Sequence, residues 1–402
     1  MSTPQRTRIL AMNQGSSTLK AGLYDVHQSE ELLLSFAIDE PQGATGELKI
    51  NDARGTTIFQ SKVKASPPDA ALDLMFRSLA EHGYTSGLAA VGHRLVHGGP
   101  RYHKPLSISV KVLKELQCLT RLDPEHLPQA LRDIRFVAKK FPKLPQVACF
   151  DTAFHSSLPQ VARMYAVPRK LYSQGIRRYG FHGLSYEYIV EELKTLDAER
   201  ANGRVIIAHL GNGASMAAVY RGKSMDTTMG LTPLEGLVMG TRSGDVDPGA
   251  LIYLQTQKKL SPNALDHLLN KESGLLGLSG TTGDMRGLLR KASTDVRAAE
   301  AVDLFCYRAR KYIGAYAAAL GGLDILVFAG GIGEHASAVR ERICHGLDFL
   351  GVRLDSKRNR ANAPLISASS SRVRVRVIQT DEDRMIVRHV LSVLGRKKSR
   401  PS

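Results

Sequence analysis

The chain has 402 residues, of which 43% are hydrophobic and 23% are charged. These values exclude a mostly disordered chain, and the length predicts two domains in a soluble globular protein. The formal net charge of +17 raises the hypothesis of a nucleic-acid partner. Because the basic residues are spread along the chain, we expect no nucleic-acid partner and favour a basic surface that suits anionic small substrates.

Strand-like apolar runs alternate with helix-like segments in chain order, which predicts an α/β protein. Strands are predicted over 8–13, 20–25, 146–150, 204–209, 215–220, 324–329 and 373–378. Helices are predicted over 69–81, 126–141, 183–195, 261–271, 295–320, 336–346 and 382–394. Ser261, followed by Pro262, is a predicted helix N-cap, and Thr380 is predicted to cap the last helix.

No apolar run approaches the ~20 residues that span a bilayer. The N-terminus has no apolar signal-peptide segment. The four cysteines are scattered without a CxxC pair, which indicates reduced thiols and neither a disulfide framework nor a zinc site. We therefore expect a cytoplasmic protein without a membrane partner.

Two stretches follow the same hairpin-like plan. ILAMNQGSSTLKAGLYDV begins at Ile9, and VIIAHLGNGASMAAVYRG begins at Val205. In each, an apolar strand, a turn rich in Gly, Ser and Asn, and a second apolar strand ending near a Tyr follow one another. The first turn glycine and that Tyr are nine residues apart in both. The repeat predicts two related domains, each opening with a polar-tipped hairpin.

Three glycine-rich turns are suited to bind anions. They are NQGSSTLK at 13–20, HLGNGAS at 209–215 and FAGGIGEH at 328–335, the last after a strand and before a helix. Glycines allow backbone N–H groups to approach a ligand, and a helix N-terminus favours negative charge. Neither a Walker A loop nor a Rossmann GxGxxG is present. Together the three turns favour a nucleotide-phosphate site.

Four charged or titratable residues stand in turn-rich surroundings: Arg94 in GHRLVHGG, Asp151 in FDTAFH, His182 in RRYGFHGLS and Arg242 in MGTRSGDVDPG. Each alone could belong to a loop salt bridge or be a satisfied buried histidine. In combination they are the groups that phosphoryl transfer needs, because that chemistry depends on positioning and on positive or donating groups around the phosphoryl. Carboxylates such as Asp151 and Glu382 could hold Mg²⁺ or its waters.

These segments resemble the acetate kinase family, which includes propionate kinases. The resemblance runs from about residue 8 to 390 and includes NQGSSTLK, GHRLVHGG, FDTAFHSSLP, IRRYGFHGLSY, HLGNGAS, KESGLLGLSG, GDMR, GGIGE, TDED and the specific stretch 226–249. It implies two actin/Hsp70/sugar-kinase-like (ribonuclease H-like) domains, 1–152 with 385–402 and 153–384, with the active site in the cleft between them. It also implies a homodimer, ATP as co-substrate, and Mg²⁺ or Mn²⁺.

The resemblance implies roles for single positions. The catalytic residues would be Arg94, Asp151, His182 and Arg242. The acid would meet Arg94, Val96, Glu125, His126, Phe181 and Pro233. Asn13 and Glu382 would help hold the metal ion. The nucleotide phosphates would meet Ser16, Thr18, Lys20, His209, Leu210, Gly211, Asn212 and Gly213. The rest of the nucleotide would meet Asp284, Met285, Arg286, Gly331, Ile332, Gly333, Glu334 and His335.

This set of residues is consistent with direct, in-line transfer from ATP to a carboxylate. A short carboxylic acid has a pKa near ~4–5, like Asp or Glu, so at neutral pH the nucleophile needs no general base. The obstacle is repulsion between the acid anion and the γ-phosphate, which arginines, a histidine and Mg²⁺ reduce. The expected products are an acyl phosphate and ADP, and the expected acid is acetate.

Several positions depart from the family pattern. The usual APLHNP reads DPEHLP here, so Glu125 replaces a pocket leucine, and HGTSH reads HGLSY, with Leu184 and Tyr186. His335 and Gln14 also differ from the usual residues. The alternatives are therefore a kinase of another short acid, such as propionate, butyrate or a polar-substituted acid, and a non-catalytic nucleotide-binding regulator. The preferred acid, the physiological direction and the nucleotide preference stay open.

Overall fold

The computed structural model describes residues 7–15, 18–27, 29–39, 45–64 and 69–395. The chain forms two compact units, Met1–Ala153 with Asp381–Ser402, and Phe154–Thr380. Within the described ranges, no helix is both long and apolar enough to cross a membrane.

The strands β1 to β13 are, in order, Arg8–Gln14, Thr18–Asp25, Glu31–Asp39, Thr45–Asp52, Thr57–Lys64, Leu88–Leu95, Leu106–Ser107, Gln146–Phe150, Arg204–Leu210, Ala214–Tyr220, Lys223–Thr227, Ile325–Ala329 and Arg374–Val377. The helices α1 to α15 are Ala70–Glu81, Val110–Cys118, Leu127–Lys140, Gln160–Arg163, Arg169–Ser173, Gly183–Leu196, Pro248–Thr256, Pro262–Lys271, Gly274–Ser279, Met285–Lys291, Val296–Leu320, Gly330–His335, Ser337–Cys344, Ser356–Arg360 and Glu382–Val393. Three short 3₁₀ helices cover Leu119–Arg121, Phe154–Ser157 and Asp348–Leu350.

The first unit is built on an eight-stranded sheet of order β5-β4-β3-β2-β1-β6-β8-β7. Strands β1 to β5 pair antiparallel, whereas β1, β6 and β8 run parallel. Helix α15 packs directly on β6, because a Cβ at Gly92 would lie 2.3 Å from Cγ2 of Ile386 and 2.8 Å from Cγ2 of Val390. A glycine at this position therefore lets the middle of α15 approach the sheet.

The second unit is built on a five-stranded sheet of order β11-β10-β9-β12-β13. Strands β11, β10 and β9 pair antiparallel, and β9, β12 and β13 run parallel. In the first unit, β3-β2-β1-β6-β8 has the same order and the same directions. The two similar hairpins of the sequence are thus β1–β2 and β9–β10, at equivalent positions of two related sheets.

The predicted elements agree with the structure to within two residues at each end. Ser261 caps α8 as predicted, since its side chain accepts a hydrogen bond from the Ala264 N–H. The prediction that Thr380 caps the last helix is wrong. Asp381 is the N-cap and accepts from the Arg384 N–H, while the Thr380 hydroxyl donates to Ser185 Oγ instead.

Candidate active site

Three polar side chains of the first unit stand where its parallel strands end. Asn13 is near the end of β1, Arg94 is near the end of β6, and Asp151 directly follows β8. Because β6 pairs in parallel with both β1 and β8, these ends share one edge of the sheet. In open α/β sheets this edge is where ligands bind.

Arg94 connects these residues through a two-pronged ion pair. Its Nη2 lies 2.6 Å from Oδ2 of Asp151, and its Nε lies 3.1 Å from both carboxylate oxygens. Its Nη1 donates to Oδ1 of Asn13 at 2.9 Å and lies 3.9 Å from Oε2 of Glu382. Planar guanidinium groups suit such paired contacts and hold a defined orientation.

The charge of Arg94 is strongly favoured. Burial of the guanidinium disfavours its charged form, but the charges of Asp151 and Glu382 and the hydrogen bonds to Asp151 outweigh burial and raise the pKa of Arg94. Asp151 is 1% exposed and Arg94 is 15% exposed at the side chain. The arginine is therefore a positive group with a fixed orientation, and part of its side chain is still exposed at the surface of the unit.

Two carboxylates at the start of α15 complete this group. Nδ2 of Asn13 donates to Oε2 of Glu382 at 3.0 Å and to Oδ1 of Asp383 at 3.3 Å. Burial, and then the charges of Glu382 and Asp381, raise the pKa of Asp383 to about 7, although the bond from Asn13 opposes the shift. We call Asn13, Arg94, Asp151, Glu382 and Asp383 the Arg94 cluster.

The donors of the Arg94 cluster suit a hard cation such as Mg²⁺. Glu382 and Asp383 supply carboxylate oxygens and Asn13 supplies an amide oxygen. Burial is the main cause of the raised pKa of Asp383, and a cation would offset the smaller contribution from the charges of Glu382 and Asp381. No group of three His, Cys, Asp or Glu side chains that could hold a metal occurs among the described residues. Mg²⁺ commonly takes only one or two protein carboxylates, and phosphate and water complete its shell.

His126 lies just before α3 and pairs with Asp123. Its Nδ1 is 2.9 Å from Oδ1 of Asp123, and its backbone N–H donates to the same oxygen at 3.3 Å. Oδ2 of Asp123 is buried and has no hydrogen-bond partner among the described residues. Asp123 replaces the alanine of the family pattern, and it is buried. Glu125, which replaces a pocket leucine of the family pattern, is only half-buried.

His182 holds an unusual place in the second unit. It precedes α6 with a φ of 57°, in the left-handed region that few non-glycine residues adopt. The preceding Gly180 has a φ of 77°, and a Cβ there would lie 2.6 Å from the His155 ring. Gly180 and the buried Phe181 thus form a tight turn that presents His182 at the start of α6.

The rings of His182 and His209 stack on each other. Their centroids are 4.4 Å apart with an interplanar angle of 22°. His209 lies in β9 next to Ala329 of β12, so it stands at the carboxyl ends of two parallel strands. Each ring is held by a serine: Nδ1 of His182 is 2.8 Å from Oγ of Ser215, and Nδ1 of His209 is 2.8 Å from Oγ of Ser185.

The glycine turn between β9 and β10 brings His182 and Arg242 together. An ideal Cβ at Gly213 would lie 3.5 Å from Nε2 of His182 and 3.9 Å from Nη1 of Arg242. Arg242 also donates from Nη1 to the carbonyl of Pro233 at 3.4 Å. We call His182, His209, Gly213 and Arg242 the His182 cluster. It presents two imidazoles and a guanidinium around an open backbone turn, which suits an anionic phosphate.

A polar network holds the segment that carries Pro233 and Arg242. Glu235 accepts from Nη2 of Arg178 and from the hydroxyl of Tyr165, both at 2.6 Å. Nη1 of Arg178 donates to the carbonyls of Thr227, Thr228 and Met229 at 3.1, 3.1 and 3.2 Å. These contacts replace regular secondary structure in this stretch and stabilise the segment whose Pro233 carbonyl accepts from Arg242.

The other predicted nucleotide segments adjoin this turn through their backbones. Gly240 N–H donates to the Asn212 carbonyl at 2.9 Å, and a Cβ at Gly283, directly before Asp284, would lie 2.6 Å from the Gly240 carbonyl. A Cβ at Gly330 would lie 2.7 Å from the Leu210 carbonyl, and Gly330 N–H donates to Glu334. The segments at 209–213, 240–242, 283–286 and 330–335 therefore converge.

Other predicted site residues make few contacts with the two clusters. Asp284 caps α10 by accepting from the N–H groups of Arg286 and Gly287, Met285 is buried, and the Arg286 and His335 side chains are largely exposed. Lys20 is exposed and Val96 is buried. Ser16 and the side chain of Thr18 lie outside the described residues.

Five residues in or next to these clusters were not predicted from the sequence as site residues: Asp123, Ser185, Ser215, Asp383 and, as a partner of Ser215, Tyr186. Tyr186 is fully buried, and its hydroxyl makes a short hydrogen bond with Oγ of Ser215. The serines and Tyr186 stand within motifs that the sequence analysis quoted, but their partners are distant in sequence. The only available signal was that Asp123 and Tyr186 depart from the family pattern.

Nearly the whole chain is similar to proteins of one family. The model of the acetokinase family matches residues 8–388. The acetate kinase of Rhodopseudomonas palustris (strain ATCC BAA-98 / CGA009) is 46% identical over 389 residues, which is 95% of this chain and 97% of that protein. Among solved structures, a propionate kinase from Francisella tularensis has a TM-score of 0.90 at 36% identity, covering 95% of this chain and 98% of that one. The acetate kinase of Porphyromonas gingivalis has a TM-score of 0.88 at 36% identity, covering 96% and 100%.

Proposed function

The chain belongs to the acetokinase family, and we propose on that basis that it transfers the γ-phosphoryl of ATP to acetate, reversibly, to give acetyl phosphate and ADP. The observation that carries the proposal is the Arg94 cluster, in which a charged arginine pairs with Asp151 where parallel strands end and lies near Glu382 at the start of α15. The family supplies the reaction class, a phosphotransferase acting on a carboxyl group.

In the proposed mechanism, Arg94 binds the carboxylate of the acid. Asp151 orients Arg94 and does not act as a base, because it already accepts the two-pronged bond of the guanidinium and the acid is ionised at neutral pH. His126 lies nearby in the proposal, and Val96, Phe181 and Pro233 would surround the methyl group. Binding by an arginine that is already oriented lowers the entropy cost of aligning the nucleophile.

The His182 cluster binds the transferring phosphoryl and the ATP phosphates in this proposal. One carboxylate oxygen of the acid forms the new O–P bond, and the bond between the γ-phosphorus and the bridging oxygen breaks with its electrons remaining on ADP. His182 and Arg242 donate hydrogen bonds to the phosphoryl oxygens, and the 209–213 turn supplies backbone N–H groups. Such donors act most strongly when they are oriented before the reaction.

The Arg94 cluster would hold the metal ion. Mg²⁺ or Mn²⁺ would supply charge neutralisation of the phosphates, which is its general contribution to phosphoryl transfer. Glu382 and Asn13 are the residues that would hold it, and Asp383, which shares the Asn13 amide with Glu382, is a further candidate. The chain itself provides the oxygen donors and keeps them oriented.

The identity of the acid is the open part of the proposal. Asp123 and Glu125 place two carboxyl groups in the segment that the family uses near the acid, so propionate, butyrate or a polar-substituted acid is an alternative substrate. A coupled ADP assay and an acyl-phosphate assay over acetate, propionate, butyrate, glycolate and glycine would rank them. We expect acetate or propionate to give the highest kcat/KM. If no acid of the panel is turned over, the proposed function is wrong.

The rival function is nucleotide binding without catalysis. An Arg242→Ala variant separates the two, because removing a guanidinium that contacts the transferring phosphoryl should lower kcat by about 10²- to 10³-fold. ATP binding, measured by calorimetry, should weaken far less. Activity unchanged by this substitution would favour the rival.

We also propose that the protein acts as a homodimer and in the cytoplasm, where its co-substrate ATP is abundant. Helix α7 supports the dimer, because PGALIYLQT is mostly apolar and none of its residues is buried within the chain. Ile252 and Tyr253 of α7 are 60% and 54% exposed, and the nearby Val246 is 39% exposed. Exposed apolar side chains on one helix are typical of a protein interface, and symmetric dimers are the commonest such assemblies.

A further inference from the structure

The two stacked imidazoles of the His182 cluster are held by two similar chains of hydroxyl groups. Oγ of Ser185 is 2.8 Å from both Nδ1 of His209 and the hydroxyl of Thr380. On the other ring, Oγ of Ser215 contacts Nδ1 of His182 at 2.8 Å and the hydroxyl of Tyr186 at a shorter distance. Each histidine is thus hydrogen-bonded to a serine, and that serine is hydrogen-bonded to a second hydroxyl group.

The position of each serine proton follows from counting donors. Ser185 and Ser215 are buried, and a buried hydroxyl needs an acceptor for its single proton. Ser185 accepts from Thr380, so its own proton goes to Nδ1 of His209. Tyr186 carries the more acidic hydroxyl and is the better donor of its pair, which leaves the Ser215 proton for Nδ1 of His182. Both Nδ1 atoms are then acceptors.

The opposite ring nitrogens face the glycine turn. An ideal Cβ at Gly213 would lie 3.5 Å from Nε2 of His182, and one at Gly211 would lie 3.8 Å from Nε2 of His209. A histidine whose Nδ1 accepts a hydrogen bond carries its proton on Nε2 when it is neutral. Both rings therefore present an N–H donor towards the turn.

We propose that Tyr186 and Thr380 are positioning residues which, through Ser215 and Ser185, hold His182 and His209 as neutral tautomers protonated at Nε2. The kinetic meaning of this arrangement rests on the proposed phosphoryl transfer, in which both Nε2 atoms donate to phosphate oxygens. Two imidazolium ions stacked at 4.4 Å, with Arg242 beside the same turn, would repel each other. Neutral rings avoid that repulsion and keep both donors.

The contact of Tyr186 with Ser215 departs from the family pattern, in which the position of Tyr186 is usually histidine. A phenol can only donate one proton or accept, whereas a histidine exchanges these roles with its tautomer. Tyr186 is fully buried and packs edge-on against the His155 ring, at a centroid distance of 5.5 Å. Tyr186→Phe therefore removes the hydroxyl and keeps the aromatic packing.

Nuclear magnetic resonance of the full-length protein labelled with ¹⁵N-histidine tests the tautomers directly. Long-range ¹H–¹⁵N spectra should show an unprotonated Nδ1 and a protonated Nε2 for both His182 and His209, assigned with His→Gln variants. In Tyr186→Phe, His182 should shift towards a mixture of tautomers while His209 stays unchanged. Thr380→Val keeps the side-chain shape. In this variant His209 should shift towards a mixture of tautomers while His182 stays unchanged.

Kinetics supply the second readout. We expect Tyr186→Phe to lower kcat by about three- to tenfold, with little change in the KM for either substrate, because only the fraction of molecules with the correct tautomer is competent. Tyr220→Phe, on the same strand as Ser215 but partly exposed, is the matched control and should behave like the wild type. Ser215→Ala should reproduce the tautomer change if Tyr186→Phe does not fold.

A wild-type spectrum with the proton of His182 on Nδ1 would overturn the proposal. It would also fail if Tyr186→Phe and Ser215→Ala both left the His182 tautomer unchanged. Absence of turnover with every acid would refute the proposed reaction alone, because the spectra report the tautomers without any substrate.

Discussion

At the scale of single residues, the site depends on how a few charges are paired. Arg94 commits Nε and Nη2 to Asp151 and its Nη1 to Asn13, so its plane is defined by contacts to two strands. The arginine is charged because burial is outweighed by Asp151 and Glu382, which raise its pKa. The carboxylate of Asp151 is therefore as important as the arginine that would touch the acid.

Asp151→Asn tests this pairing. The amide keeps the shape but loses the charge and one acceptor, so Arg94 should lose its defined orientation and leave a buried charge without its partner. Breaking such a pair costs about 3–5 kcal/mol. We expect kcat/KM for the acid to fall by about 100-fold or more, measured by steady-state kinetics.

Asp73→Asn is the matched control for that experiment. Asp73 also pairs with basic residues, Arg77 and Lys140, but its side chain is 40% exposed on α1. Exposed ion pairs contribute about 0–1 kcal/mol, so its kinetic constants should stay within about twofold of the wild type. Equal effects of the two substitutions would contradict a special role for Asp151.

At the scale of elements, both sheets contain a shared part in which three antiparallel strands are followed by two parallel ones, and the candidate site lies at the carboxyl ends of the parallel strands. Buried histidines help join these elements. His155, in the 3₁₀ helix Phe154–Ser157, has its Nδ1 2.8 Å from Oγ of Ser224 on β11, and its Nε2 donates to the Phe181 carbonyl at 3.0 Å. It thus connects β11 to the turn that presents His182.

The buried position of His155 predicts a pH dependence of stability. Burial, and secondarily the charge of Arg178, lower the pKa of His155 to about 4, against an ordinary value of 6.5, although the bond to Phe181 opposes the shift. Between these values the unfolded chain binds a proton that the folded chain does not. The free energy of unfolding therefore rises with pH across this window, by up to about 3 kcal/mol from this group.

Urea unfolding of the wild type and of His155→Gln at several pH values between 4 and 6.5 measures this effect. The variant is less stable at pH 7 because it loses packing and hydrogen bonds. The difference between the two proteins should shrink as the pH falls, since only the wild type must avoid protonation of residue 155. A difference that does not vary with pH would contradict the prediction.

At the scale of the whole molecule, charge and apolar surface are the features that concern assembly. Part of the positive charge is paired within the chain. Nη1 of Arg374 and the guanidinium of Arg376, both on β13, pair with the buried Asp197 at 2.8 and 3.2 Å. The arginines of β13 are therefore not a free basic surface. The exposed apolar helix α7 is the feature that favours a second copy of the chain.

Ile252→Lys tests the proposed dimer. Within one chain Ile252 is 60% exposed, so a lysine should leave the thermal stability of the monomer fold nearly unchanged. Across an apolar interface it would bury a charge, at a cost of about 2 kcal/mol or more, and raise the dimer dissociation constant by about 30-fold. Light scattering after size-exclusion chromatography measures the mass.

The control for this prediction is Ile58→Lys on β5, where the isoleucine is 52% exposed in the other unit. It should leave the mass unchanged. A wild-type protein that is monomeric at all concentrations tested, or an Ile252→Lys variant with the wild-type mass and dissociation constant, would refute a dimer through α7.

The sequence by itself determined the α/β class, the two related hairpins and the principal helices, because these depend on local periodicity of apolar residues and on cap and turn chemistry. It also singled out Arg94, Asp151, His182 and Arg242 as candidate site residues, since their motifs are short and continuous. The strand that carries Arg94 was missed, because β6 reads LAAVGHRL and its signal is weak without neighbouring strands.

Only the tertiary structure decided which groups meet. Arg94 and Asp151 are 57 positions apart, Ser215 is 33 positions from His182, and Thr380 is 195 positions from Ser185. Such hydrogen bonds arise from strand pairing and from helices packing on sheets, and no local pattern encodes them. For the same reason the sequence directed attention to Glu125, whereas Asp123, two residues earlier, is the carboxyl group that is buried and pairs with His126.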